Sequence, residues 1–459
     1  MKTRVYIWWL TITASLGGLL FGYDTAVISG TISMVKTQFG LNAVLEGWYV
    51  SSALLGCVVG VSFAGWLSDR YGRKKVLLLA ATLFTLSALG CTLSGSFSVL
   101  VIFRMVGGMG VGIASMLSPM YISEISPPSI RGRLVALYQL AITIGILISY
   151  LVNAWLLDNS FSDELPGHPL STLVFRSEVW RAMLGMESIP AILFFILLCL
   201  VPESPRWLLI NGKSDRAMAI LLKTSGREEA QQEVMDIQET IEIKKNKISM
   251  LLSPGIRLAL FLGISLAVLQ QFTGIDAIIY YGPSIMVSAG FELNDALGSQ
   301  TVIGAINMAF TLLAIWQIDR FGRKKLLLSG TLGMLLSLVA IGYLFYIDQT
   351  DGLLLLILIL LFIASFAFSL GPVVWVILSE IYPTRIRGRA MSIATLAVWV
   401  GTTLIGQFIP LSLANLGPAV TFWIFALFCI PTIWIGWKMM PETKGKTLED
   451  IEKYWLERR

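Results

Sequence analysis

Twelve stretches of about twenty apolar residues, separated by short polar loops, leave this chain one environment in which to fold, the interior of a lipid bilayer. They fall at 5–29, 47–67, 76–96, 98–122, 134–156, 181–201, 257–286, 296–318, 326–347, 353–379, 390–413 and 419–440. In hydrocarbon each backbone N–H and C=O must be paired within the protein, so each stretch reads as a spanning helix. The expected fold class is therefore all-α and polytopic. Composition agrees: 56% of the 459 residues are hydrophobic and 14% charged, against about 25% charged in soluble chains. That shortage excludes a cytosolic multidomain enzyme, a nucleic-acid binder and a disordered scaffold. Lys2 and Arg4 before an apolar run imitate a signal peptide, but no small-residue cleavage site follows, and the run reads as the first span.

The net charge of +5 does not point to nucleic acid, because the basic residues sit in short runs between spans. Their placement reports orientation. Assigning alternate loops to one side gathers 30 of the 34 Lys and Arg there, leaving Lys36, Arg176, Arg181 and the intramembrane Arg104. Both termini are thus expected to be cytoplasmic. Cys57, Cys91, Cys199 and Cys429 lie in apolar stretches without metal-ligand spacing and read as buried free thiols.

The chain repeats. Asp69-Arg70-Tyr71-Gly72-Arg73-Lys74-Lys75 recurs as Asp319-Arg320-Phe321-Gly322-Arg323-Lys324-Lys325, and Ser123-Glu124-Ile125 with Ile130-Arg131-Gly132-Arg133 recurs as Ser379-Glu380-Ile381 with Ile386-Arg387-Gly388-Arg389. Pro202-Glu203-Ser204 is echoed by Pro441-Glu442-Thr443. Motifs paired in one order imply a duplicated six-helix unit with a cavity between its copies. The expected organisation is an N-terminal bundle, 1–201; a cytoplasmic linker of amphipathic helices, 202–256; a C-terminal bundle, 257–440; and a cytoplasmic tail, 441–459.

These residues resemble the sugar porter branch of the major facilitator superfamily, from about Gly17 to Leu448. The resemblance rests on Gly65-Trp66-Leu67-Ser68-Asp69-Arg70-Tyr71-Gly72-Arg73-Lys74, Pro202-Glu203-Ser204-Pro205-Arg206-Trp207, Gln270-Gln271-Phe272-Thr273-Gly274-Ile275 and Pro441-Glu442-Thr443-Lys444-Gly445. The nearest likeness is to bacterial proton-coupled D-xylose symporters. It implies the major facilitator fold, a bacterial inner-membrane location, a sugar and a proton as the transported partners, no cofactor and no metal. A chain working as a monomer in the bilayer is expected.

Within the spans, charge marks chemistry, since a carboxylate at mid-membrane costs about 2.5–3.5 kcal/mol on insertion scales. Asp24 in the first span and Arg104 in the fourth would cancel each other's cost as a pair. Such a pair is either purely structural or a proton switch, and the resemblance implies the switch. Amides and tryptophans suit a sugar, offering donors and acceptors for hydroxyls and a flat apolar face. The resemblance places Gln139, Gln270, Gln271, Asn307, Trp375 and Trp399 at the sugar site, where each amide alone is equally explained by helix–helix hydrogen bonding. Gly274 is expected to loosen the seventh span.

Two departures stand out. Most sugar porters carry Asn where this chain has Asp276, which adds a carboxyl to the expected site. Ile146 and Val398 stand where the xylose symporters carry glutamines, so xylose is not assured. Asp69, Arg73, Glu124, Arg131, Glu203, Arg206, Asp319, Arg323, Glu380 and Arg387 lie at cytoplasmic helix ends, and the resemblance implies salt bridges between the bundles that close that side in the outward-facing state. His168, the only histidine, falls in an extracellular loop and excludes a buried histidine relay. No Walker motif and no hydrolase or metal constellation is present, so the chain reads as no enzyme and no ATP-driven pump. The leading expectation is monosaccharide import by proton symport. A proton-independent facilitator, an inositol or polyol symporter and a non-transporting sensor are the alternatives.

Overall fold

The computed structural model describes residues 2–127, 130–160, 172–224, 230–232, 234–235, 254–350, 352–382, 387–444, 446 and 448–457. The N-terminal half runs α1 (Lys2–Phe39), α2 (Ala43–Tyr71), α3 (Arg73–Leu93), α4 (Phe97–Ile125), α5 (Arg131–Ser160), α6 (Trp180–Gly185) and α7 (Ser188–Leu200). Two short helices follow, α8 (Pro205–Ile210) and α9 (Ser214–Thr224). The C-terminal half runs α10 (Pro254–Phe272), α11 (Ile275–Ser288), α12 (Leu293–Phe321), α13 (Arg323–Tyr346), α14 (Gly352–Phe368), α15 (Leu370–Glu380), α16 (Arg387–Asn415) and α17 (Gly417–Lys438), and a tail helix, α18 (Leu448–Glu457), closes the chain. Among the described residues there is no strand, and twelve helical segments are long and apolar enough to cross a membrane.

Some boundaries differ from the hydropathy reading. The first helix continues through Gly30 to Phe39 rather than ending near 29, because residues 31–39 carry neither Gly nor Pro before the positive φ of Gly40. Three spans are broken, two of them where proline removes a helix donor. Pro190 cannot bond the carbonyl of Met186, and α6 gives way to α7 across Met186 and Glu187. Pro372 likewise cannot bond Phe368, and the chain breaks at Ser369 between α14 and α15. The third break, between α10 and α11, comes from Gly274, whose φ of +88° belongs to the left-handed region. The expected loosening is thus a full interruption.

Helix packing in each half depends on small residues, since lipid offers apolar helices no solvent-driven reason to associate. Along the α2–α4 contact, a Cβ at Gly56, Gly60, Gly108 or Gly112 would lie 1.8–2.3 Å from a backbone oxygen of the facing helix. Any larger residue there would push the pair apart. The halves meet through α2 against α16 and α5 against α12. Cys57, Cys91 and Cys429 are buried as expected, but Cys199 is exposed, on the outer face of α7 beside Leu200.

Candidate functional site

The repeated basic motifs build two equivalent clamps at one end of the bundles. Gly72 (φ +98°) and Gly322 (φ +85°) turn the chain between consecutive spans. A Cβ on Gly72 would fall 2.2 Å from a Glu203 carboxylate oxygen, and one on Gly322 2.7 Å from Glu442. Glycine is therefore needed both for the dihedral and to seat a carboxylate over the helix start. Glu203 accepts from the backbone N–H of Arg73 and Lys74 at 2.8 and 3.1 Å, and Glu442 from those of Arg323 and Lys324 at 3.0 and 3.1 Å. Both satisfy donors left open at a helix N-terminus and lie where the helix dipole favours negative charge.

Each arginine then grips the end of the next span. Arg73 donates to both oxygens of Glu124 at 3.0 and 3.1 Å, and Arg323 to both of Glu380 at 3.1 and 2.9 Å. Ser204 and Thr443 donate to the same two carboxylates. Burial pushes the Glu203 carboxyl above its ordinary value, opposed by backbone N–H bonds from Ser204, Lys74 and Arg73. Among the described residues these ion pairs lie within each half, since Arg73 and Glu124 sit on adjacent packed helices, as do Arg323 and Glu380. Asp69 is 3.3 Å from Arg73 but largely exposed. Arg131 donates to the carbonyl of Ser126, and Arg206 forms no ion pair among the described residues. His168 and the side chains of Asp319 and Arg387 lie outside the described residues.

Inside the N-terminal half Arg104 donates to Asp24 at 2.6 Å, with 3% and 4% of the two residues exposed. The pair lines a small cavity with Cys57, Val50 and Leu54 of α2 on one side and Tyr280 and Trp399 of the C-terminal half on the other. Trp399 faces Phe21 across the halves at 5.2 Å between ring centres. Glu187 was missed in the hydropathy reading, although a glutamate inside an apolar span is the kind of signal that singled out Asp24. It is buried at the α6–α7 break with its carboxyl against Asp24 and within electrostatic reach of Arg104, and its Oε1 has no hydrogen-bond partner. Two carboxyls face one guanidinium here. Fully ionised, the cluster carries a net charge of −1, so one bound proton neutralises it.

Of the other expected ligands, only Trp399 lines this cavity. Gln270 is buried, and its amide nitrogen donates to the carbonyls of Leu370 at 2.8 Å and Gly371 at 3.4 Å, while its Oε1 is unpaired. Asp276 is buried one turn before Tyr280, which stands against its carboxyl, and its Oδ2 is unpaired. Gln271 and Asn307 are buried, and Gln139 and Trp375 partly so, none lining the small cavity. Gln271 lies next to Gly401, two residues from Trp399. No group of residues among those described is suited to hold a metal ion.

A family profile described as "Sugar (and other) transporter" matches residues 10–455. The chain is 42% identical to the arabinose-proton symporter of Bacillus subtilis, covering 97% of this chain and 94% of that protein. It is 39% identical to the D-xylose-proton symporter of Escherichia coli, covering 98% and 96%. Its fold is similar to a partially occluded inward-open structure of the E. coli xylose transporter XylE, with a TM-score of 0.84 at 38% identity over 96% of this chain and 100% of that one.

Proposed function

The chain belongs to the sugar transporter family, and we propose that it imports a monosaccharide, a pentose or hexose, by proton symport and alternating access. The observation that carries this reading is the buried Asp24–Arg104 pair on the wall of a cavity shared by both halves. A guanidinium keeps its charge at every relevant pH, so the proton of such a cluster resides on a carboxyl. Protonation of Asp24 or Glu187 weakens the hold of Arg104 and frees the N-terminal half to move against the C-terminal one. Similarity to proton-coupled arabinose and xylose symporters supports the coupling.

Sugar recognition falls to Gln139, Gln270, Gln271, Asp276, Asn307, Trp375 and Trp399. In support, Gln270 and Asp276 present unpaired buried oxygens, which a sugar hydroxyl satisfies at little cost to the protein. The basic side, carrying both clamps, faces the cytoplasm with the termini, by the distribution of Lys and Arg. There the clamps stiffen each half, so that the halves move as bodies. The chain works in the bilayer as a monomer, without metal or cofactor and without chemistry on the sugar.

The test is Asp24→Asn in reconstituted vesicles. Uphill accumulation should be lost while sugar exchange at equilibrium persists, and undiminished accumulation would refute the role of Asp24.

A further inference from the structure

On the side away from the clamps, a belt of hydrogen bonds joins the two halves. Tyr150 of α5 donates to the carbonyl of Ile279 in α11 at 3.1 Å, and Tyr281 of α11 to the carbonyl of Gly406 in α16 at 2.9 Å. Gln407 then donates to the carbonyl of Val44 in α2 and accepts from Ser51, both at 3.0 Å. Both carbonyls that receive a tyrosine share one peculiarity. Ile279 stands four residues before Pro283, and Gly406 four before Pro410. A proline nitrogen has no hydrogen, so neither carbonyl can receive its normal helix bond. An unpaired carbonyl inside a membrane protein is costly, and in each case a phenol supplies the missing donor. Of the two tyrosine bonds, only that of Tyr150 crosses between the halves.

We propose that Tyr150 is a positioning residue of the transport cycle, a latch whose hydroxyl holds this side shut by pairing with the carbonyl that Pro283 leaves open. The inference rests on the alternating-access reading. Tyr150 is 1% exposed, and its ring lies on Gly304 of α12, where a Cβ would come within 2.9 Å. The phenol is thus set between two helices of the opposite half. When this side opens, the hydroxyl leaves and the Ile279 carbonyl meets water in the widened cavity. Closing is favoured because that carbonyl, once dry, has one donor in reach.

Cys57 on the cavity wall reports opening. In a Cys199→Ser background, which removes the exposed thiol, Cys57 is reacted with a membrane-impermeant maleimide in intact cells and in inverted vesicles. Tyr150→Phe keeps the ring and removes only the donor. It should raise the labelling rate in intact cells about ten-fold, the effect of one unpaired buried carbonyl, and leave inverted vesicles unchanged or slower. An unchanged rate in intact cells, or an equal rise from both sides, overturns the latch. Pro283→Ala gives Ile279 its own helix partner, so in that background Tyr150→Phe should change labelling less than about two-fold. A full ten-fold effect there would show that the carbonyl is not the seat of the latch. If no pentose or hexose alters Cys57 labelling in the parent chain, the transport reading itself fails. If sugar alters it and Tyr150→Phe does not, the latch alone fails.

Discussion

The amide nitrogen of Gln270 donates to the carbonyl oxygen of Leu370 at 2.8 Å, tying one interrupted helix to another. Gln270 lies four residues before the Gly274 break, and Leu370 directly follows the break at Ser369. Their counterparts in the first half, α1 and α4, run unbroken. Two of the three interrupted spans therefore lie in the C-terminal half, and a residue expected to bind sugar also pins them together.

Gln270→Glu should separate these two duties from those of its neighbour. An ionised carboxylate has no donor for Leu370 and Gly371, and two buried carbonyls are left without it, at a cost of about 1–3 kcal/mol. A lowered thermal midpoint in detergent together with weakened sugar binding is expected. Gln271→Glu should weaken binding while leaving the midpoint near that of the parent chain. Equal midpoints for the two variants would remove the pin from the account.

Asp276 should set selectivity. A carboxylate accepts hydroxyl hydrogen bonds more strongly than an amide and, when ionised, donates none. Asp276→Asn is expected to shift relative affinities across a panel of pentoses, hexoses and inositol by about ten-fold for at least one pair. Binding titrations that return the parent's ranking would exclude Asp276 from the sugar contacts.

The clamps should be strict about arginine. Arg73→Lys and Arg323→Lys keep the charge but lose the paired geometry on Glu124 and Glu380. Each should slow transport several-fold and lower the thermal midpoint, because lysine holds one carboxylate oxygen at a time. The two substitutions should have similar effects, as each arginine makes the same paired bonds to a glutamate of the next span in its half. A large effect of one and none of the other would contradict the equivalence of the halves.

Glu203 makes stability depend on pH. Burial raises its carboxyl above the ordinary value of 4.5, so the folded chain holds this proton more tightly than the unfolded one. The resulting contribution is complete below about pH 4.5 and is lost as pH rises through the folded value. Glu203→Gln carries no such proton and should flatten this falling limb in thermal midpoints measured against pH. A limb that persists in the variant would assign it to another group.

Much of this was legible in the sequence because the bilayer allows so few answers. Spans, duplication and the Asp24–Arg104 pair follow from hydropathy, repeated motifs and the cost of lone charges. Other features depend on which side chains share a depth. Glu187 escaped notice because one glutamate barely alters a window as apolar as 181–201, and only the fold places it against Asp24. For the clamps, motif order cannot tell a partner in the same half from one in the other. The reach of Arg73 to Glu124 settles that in three dimensions. Tyr150 had no sequence signal of its own, since its partner is a carbonyl that proline frees in another helix.

In the proposed cycle a proton gradient drives sugar uphill through Asp24. Purified protein in liposomes, given labelled pentoses, hexoses and inositol with and without an inward proton gradient, tests it directly. Accumulation of at least one sugar above equilibrium is expected, abolished by a protonophore and by Asp24→Asn. Equilibration to the same level with or without the gradient, unaltered in Asp24→Asn, would contradict it and make this chain a facilitator.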